Sequence, residues 1–229
     1  MTFLEMCEKL RQECGIAGTI SSVSDQAGMH GRLIGYIQKA NREIQLRKAN
    51  WKFLWNEWSQ ALSGVTGGEV APPDGLGMFD QASFWVDAGT DDAFPLKWID
   101  HKKWRDEYRH QYTDTDQPVF VTIKPNGRVA ILPSPSADYT SKTLTADYWR
   151  APVELVSNAQ VSLIPEQFHQ IVVAQAKMYW AEYSHDTGRY NSAFVEHERL
   201  YMELKAHSLP GTEDDGKSES SLSHVIEVM

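Results

Sequence analysis

Apolar residues recur at helical spacing from the first positions of the chain. Phe3, Cys7, Leu10 and Cys14 fall on one face and predict a helix. Thr2 with Glu5 three residues on has capping-box spacing, and Gly15 supplies the stop. A Gly/Ser/Thr loop over 18–24 follows. A second helix is expected from about Gly28 to Ala49, with Leu33, Ile37, Ala40 and Ile44 inward and Lys39, Arg42, Arg47 and Lys48 on the opposite face. Such a charged face is ordinarily solvated, and meeting a partner's acidic surface is its other use. The period then changes. Trp51, Phe53, Trp55 and Trp58 fit either a helical turn (51, 55, 58) or the start of an alternating strand (51, 53, 55), and a turn passing into a strand near 58–62 is expected. Aromatics of this size at a change of period suit the junction between a helical layer and a sheet; a ligand cage is the sharper alternative.

From about Gly64 to Leu155 the chain has β character. Gly67-Gly68 and Pro72-Pro73-Asp74-Gly75 are turn signals, and 83–87 and 95–99 are short strand candidates. Residues 100–109 predict a short charged helix with Trp104 and Tyr108 facing inward. Apolar runs over 118–124 and 128–132 flank Pro125-Asn126-Gly127 and predict a β-hairpin. A further strand over 142–150 carries Leu144, Ala146, Tyr148 and Arg150 on one face. Helical spacing returns after Pro165, which suits a first helical position, with the stripe Phe168, Val172, Ala176, Tyr179 and Tyr183. A break at 185–188 precedes a last helix with the stripe Tyr190, Phe194, His197, Tyr201 and Leu204. Two helices with so short a break fold back as a hairpin. The predicted fold class is α+β: a helical bundle made by both ends of the chain, with an antiparallel β domain inserted. Its segments are 1–62 (N-terminal helices), 63–155 (β-rich insert), 156–207 (helical hairpin) and 208–229 (an extended acidic tail).

Composition narrows the function classes. The 229 residues carry a formal net charge of −9, which argues against a DNA-wrapping surface. The charge is uneven: residues 1–60 hold eight Lys/Arg against six Asp/Glu, and 207–229 hold five acids and one lysine. No apolar run reaches the length of a membrane span, and the charged N-terminal residues do not fit a secretory signal. Cys7 and Cys14 lie two helical turns apart, roughly 10 Å, too far for a disulfide, and are expected as buried reduced thiols.

Motifs for phosphate loops, nucleophile elbows and metal sites are missing from the sequence. Glu166-x-x-His169 and Glu182-x-x-His185 have the spacing of di-metal carboxylate sites. Both fall on one predicted helix sixteen residues apart, about 24 Å, so one metal pair cannot join them. They are expected as ordinary surface pairs, and His197 as a hydrogen-bonded core histidine. No catalytic residue, metal or cofactor is expected. The tail is different: 212–221 lacks any hydrophobic residue and is expected to be disordered alone, whereas the end holds Leu222, Val225, Ile226, Val228 and Met229. A polar spacer with an apolar end can add a strand or fill a groove on a partner, and those five residues are candidate docking residues; a frayed terminus is the plainer alternative.

The segments TFLEMCEKLRQECGIAG (2–18), REIQLRKANWKFLW (42–55), LPSPSADYTSKTLTADYWRAP (132–152) and IPEQFHQIVVAQAKMYWAEY (164–183) together resemble adaptor proteins of tailed bacteriophages, the head-to-tail connector subunits beneath the portal. The similarity covers approximately 1–206, with the ADYT…ADYWRAP stretch its most specific part. The family often has proline where Lys48-Ala49-Asn50 precedes Trp51, so the helix break is less sharply encoded here. The resemblance implies a non-enzymatic virion component of the neck, assembled in the host cytoplasm. It implies a homo-oligomeric ring, commonly of twelve, with the portal protein above and a tail or nozzle protein below. DNA would pass through the lumen without specific binding, and no membrane is involved. Trp51, Trp55, Trp58 and Trp149 are then candidate domain-junction or subunit-interface aromatics, since head-to-tail contacts use large anchors. A tail-completion or stopper protein of the same neck is the nearest alternative, and a small metal-carboxylate enzyme a more distant one.

Overall fold

The structure, a computed structural model, describes residues 1–209 apart from Thr66 and Thr113. The chain forms two compact units: Met1–Leu54 with the chain from Pro152 onward, and Trp55–Ala151. The first unit opens with α1 (Phe3–Glu13) and α2 (Gly28–Leu46). The second begins with β1 (Trp55–Ala61), β2 (Glu69–Val70), β3 (Leu76–Phe79), β4 (Trp85–Val86), β5 (Phe94–Pro95) and β6 (Lys97–Trp98). After the short α3 (His101–Lys103) come β7 (Thr115–Asp116), β8 (Phe120–Ile123), β9 (Val129–Leu132), β10 (Ser134–Pro135) and β11 (Thr143–Arg150). The chain then returns to the first unit with α4 (His169–Tyr183) and α5 (Thr187–Ser208). The class is therefore the α+β arrangement predicted, helices at both ends of the described chain and largely antiparallel sheets between them.

In the helical unit, α1 starts at the predicted capping box: Thr2 Oγ1 accepts from the Glu5 N–H while the Glu5 carboxylate accepts from the Thr2 N–H at 2.8 Å. It stops where Gly15 adopts φ 69°, a left-handed conformation suited to glycine. On α2, Leu33, Ile37, Ala40 and Ile44 are fully buried as the period requires. The helix ends at Leu46, three residues before the expected limit, and a single tight turn at Lys52–Leu54 leads into β1. Helix α4 departs from a simple stripe. Ile171, Val172, Val173, Ala174 and Ala176 are all buried, because the helix packs against α1, α2 and α5 and is covered on several sides. Pro165 is not the first helical residue; it precedes a separate turn at Glu166–Phe168 that runs into α4.

The break at 185–188 is as predicted: His185 takes φ 56° and the Asp186 side chain caps α5 by accepting from the Arg189 N–H at 2.9 Å. The inward face of α5 is rotated from the expected stripe. Ala193, His197, Leu200, Leu204 and Ser208 are buried, whereas Phe194 is exposed and stacks on Tyr190. The small Ala193 faces the interior and leaves the bulkier neighbour outside.

In the β unit, β11 is the organising strand. It pairs with β1 over 143–149, Trp55 opposite Trp149 through Ala61 opposite Thr143, and on its other side with β3 and β4. Strand β1 thus starts at Trp55, three residues before the expected 58–62, because the partner strand reaches that far. Leu144, Ala146 and Tyr148 point inward with Trp58, Phe79, Phe84 and Val86. The predicted hairpin is β8 and β9, with Gly127 at φ 81° in its turn. This hairpin is buried on both faces: Val121, Val129 and Ile131 enter the main core, and Phe120, Ala130 and Leu132 pack under Ile99 and Trp104. The segment Asp100–Arg109 supplies that cover, as a helical turn continuing into a π-helical turn over Trp104–Tyr108, with Trp104 buried as expected.

Candidate functional site

The four singled-out tryptophans are not one cluster. Trp51 is fully buried in the helical unit, where its indole N–H donates to the Ile44 carbonyl at 3.2 Å, its ring stacks on Phe53 and its edge meets Tyr201. Trp58 lies in the β core against Phe79. Trp55 and Trp149 are cross-strand neighbours on the outer face of the sheet, and Met78 of β3 continues their row. Period two explains the split, because Trp55 and Trp58 have opposite parity along one strand.

That outer face holds unusual apolar exposure. Trp55 and Met78 are each 44% exposed and Trp85 is 39% exposed. Between the aromatic rows lies an acidic row, Glu57 opposite Asp147, and an open groove of about 650 Å³ runs past Glu57, Ser59, Trp85 and Asp147. Burial holds the Asp147 carboxyl above its ordinary range, and the nearby Glu57 and Asp80 charges push the same way. Among the described residues, strand β1 pairs only with β11. Met78 and Trp85 were not singled out in the sequence; each sits on a strand of two to four residues, too short for alternation to show which side faces out.

The helical unit has a second distinct surface. The basic residues on α2 and just past its end are exposed as expected, and three of them set their charged groups over tyrosine rings. The Arg32 guanidinium is 3.9 Å from the Tyr183 ring centroid, the Lys39 ammonium 4.2 Å from Tyr179, and the Arg47 guanidinium 4.7 Å from Tyr201. Beneath this ladder, Gln175 donates to Glu43 at 2.8 Å and the Tyr179 hydroxyl also donates to Glu43. Burial, followed by the hydrogen bond to Glu43, raises the Tyr179 pKa and keeps the phenol protonated. Asn41 and Gln45, on the buried side of α2, bind both backbone groups of Val153, and Ser162 donates to Asn41 at 2.6 Å. These amides give hydrogen bonds to a segment that has no strand partner. An Asn and a Gln four apart beside an apolar face were the available sequence signal.

The titratable candidates are structural. Cys7 and Cys14 are free and buried, and burial pushes their thiols up to about 12 and about 11, away from thiolate chemistry. Both His169 ring nitrogens are engaged, with the Ile164 carbonyl at 2.8 Å and the Met1 amine at 2.9 Å, and Glu166 takes the same amine at 3.1 Å. Glu182 and His185 are exposed, His185 lying beyond the end of α4. Among the described residues no group of three or more His, Cys, Asp or Glu is placed to hold a metal ion. Nor, among them, is any helix long and apolar enough to cross a membrane. His197 is a core histidine, its Nδ1 3.1 Å from Glu198; burial lowers its pKa, as does the Arg47 charge. The docking candidates Leu222, Val225, Ile226, Val228 and Met229 lie outside the described residues.

No curated protein matches the chain significantly. The family model described as SU10 adaptor protein matches residues 1–218, which takes in both units and runs past the end of the similarity seen in the sequence segments. The geometry offers two distinct surfaces, an aromatic sheet face and a basic helix face, and the match spans the elements that build both: the chain belongs to the SU10 adaptor protein family of phage structural proteins.

Proposed function

We propose that the protein is a head-to-tail adaptor that acts by assembly and not by catalysis. Its subunits form a ring, of twelve in this reading, beneath the portal of a tailed phage. The ring links the capsid to the tail or nozzle protein, and DNA passes through its lumen without specific binding. The observation that carries the reading is the family match over residues 1–218. The exposed row of Trp55, Trp149 and Met78 supports it, because closed rotation requires one patch to meet a different patch on the next subunit, and exposed aromatics are suitable anchors. Trp51 and Trp58 serve their own cores, so Trp55 and Trp149 carry the interface role. The apolar tail end, Leu222 through Met229, docks on portal or nozzle neighbours.

The test is a projection image of the protein alone and mixed with its cognate portal protein. A ring with a central channel in either sample is expected; isolated monomers in both overturn the proposal. Deleting 212–229 should weaken co-sedimentation with portal, and unchanged co-sedimentation removes the docking role of the tail.

A further inference from the structure

From Arg32 to Lys52 the chain carries Arg32, Lys39, Arg42, Arg47, Lys48 and Lys52 against one acid, Glu43. All six cations are exposed. Their only ion pair among the described residues joins Lys39 to Glu43 at 3.8 Å. Beside them a groove of about 360 Å³ is lined by Gln38, Lys39, Arg42, Glu43, Leu46 and Glu154. A row of exposed cations with a single acid among them presents a positive surface that an anionic partner would complement.

The chain supplies an anion close by. Arg47 stacks on Tyr201, and α5 ends seven residues later at Ser208, about 10 Å along the helix. Residues 209–213 can span about 17 Å when extended, enough to bring Glu213, Asp214 and Asp215 back to Arg47 and Lys48. From Arg47 to Lys39 along α2 is about 12 Å, and residues 215–219 extended cover about 14 Å, which places Glu219 beside Arg42 and Lys39. The acids of the segment and the cations of the helix therefore match in sign, order and length.

We propose that the acidic stretch 213–219 lies along the exposed basic face of α2 in the same molecule, with 213–215 on Arg47 and Lys48 and Glu219 on Arg42 and Lys39. The contact holds the acidic spacer against the helical unit and leaves the apolar end at 222–229 to reach beyond it. It also screens the basic face from other polyanions, including DNA phosphates. Because it is internal to one chain, the contact stands or falls separately from the ring.

The test uses the full chain as an equal mixture of light and heavy isotope-labelled protein, treated with a zero-length carbodiimide and mapped by mass spectrometry. Cross-links from 213–219 to Lys39, Lys48 or Lys52 are expected within one chain, and are expected to fade in high salt. A variant carrying Glu213→Gln, Asp214→Asn, Asp215→Asn and Glu219→Gln leaves the described fold untouched. It should bind a short DNA duplex, used as a polyanion probe at low salt, about tenfold more tightly than the parent. Cross-links found only between light and heavy chains, no cross-links at all, or a duplex affinity unchanged in the variant each overturn the proposal.

Discussion

The helical and β units bury their backbones by different means. Helices α2, α4 and α5 satisfy most of their own hydrogen bonds, so the helical unit uses side-chain partners at helix ends, as at Thr2 and Asp186, and where chain without a ladder crosses it, as at Val153 on Asn41 and Gln45. In the β unit, six of the eleven strands are two residues long. Such strands form little ladder, and side chains complete the pairing. Asp87 accepts from the Thr143 N–H at 2.8 Å, and the Ser83 hydroxyl accepts from the Asp147 N–H at 2.7 Å. The surfaces differ in parallel. The helical unit presents cations seated on tyrosines, and the β unit presents tryptophan and methionine around carboxylates. The aromatic face lies mainly on the two longest strands, β1 and β11, with Met78 and Trp85 added by the short strands beside them, while the long helices keep a charged exterior.

Breaking each core is the strongest test of this contrast. Trp51→Ala and Phe84→Ala each empty a fully buried aromatic site and should cost about 3–5 kcal/mol. Hydrogen exchange should locate the loss mainly in α2 and α5 for Trp51→Ala, and in the strands around β11 for Phe84→Ala. Equal loss of protection in both units from either variant would show one cooperative core in place of two.

Acid should separate the units next. His169 and His197 have pKa values lowered by burial, so the stability they contribute is full above the unfolded value near 6.5 and is lost as pH falls below it. In the β unit, Asp87 is held low first by the Thr143 N–H and then by Lys142, and Glu69 by Lys124. Their contribution is present above the unfolded carboxylate values near 4 and is lost only as pH falls through the lower folded values. Glu8, lowered to about 2 by Arg11, adds a carboxylate loss to the helical unit in that same acid range. Between pH 7 and 5.5 the helix amides should therefore lose protection first. The same order of loss in a His197→Gln, His169→Gln double variant would sink this explanation.

The smallest expected effect on stability comes from the exposed face. Trp55→Ser removes one cross-strand partner of Trp149 and should change stability by at most about 1 kcal/mol. Self-association or ring formation with portal should nevertheless drop sharply. A variant that assembles like the parent removes Trp55 from the interface.

Much of this architecture was legible in the sequence where one local signal dominated. The capping box at Thr2 and Glu5, the hairpin around Asn126-Gly127, and the break at His185 each depend on residues within a few positions of one another. The apolar face of α2 and the alternation of β11 were clear because each runs long enough for its period to repeat. Errors came where the deciding partner was distant. Strand β1 starts at Trp55 because β11 continues to Trp149. The face of α5 is set by what packs on Ala193 and not by the larger Phe194. Helix α4 shows no clear polar side because other helices cover it.

By itself, the sequence determined the mixed class, the order of helices and strands, the separate acidic end of the chain and the resemblance to phage adaptors. The first three rest on local propensity, period or composition, and the resemblance rests on four dispersed segments of the sequence. Only the tertiary structure decided that Trp51 and Trp58 are core while Trp55 and Trp149 share an outer face, and that Arg32, Lys39 and Arg47 rest on tyrosines from two other helices. Parity along a strand becomes inside or outside only when a second layer closes one side, and a cation meets a ring only when another helix carries it there.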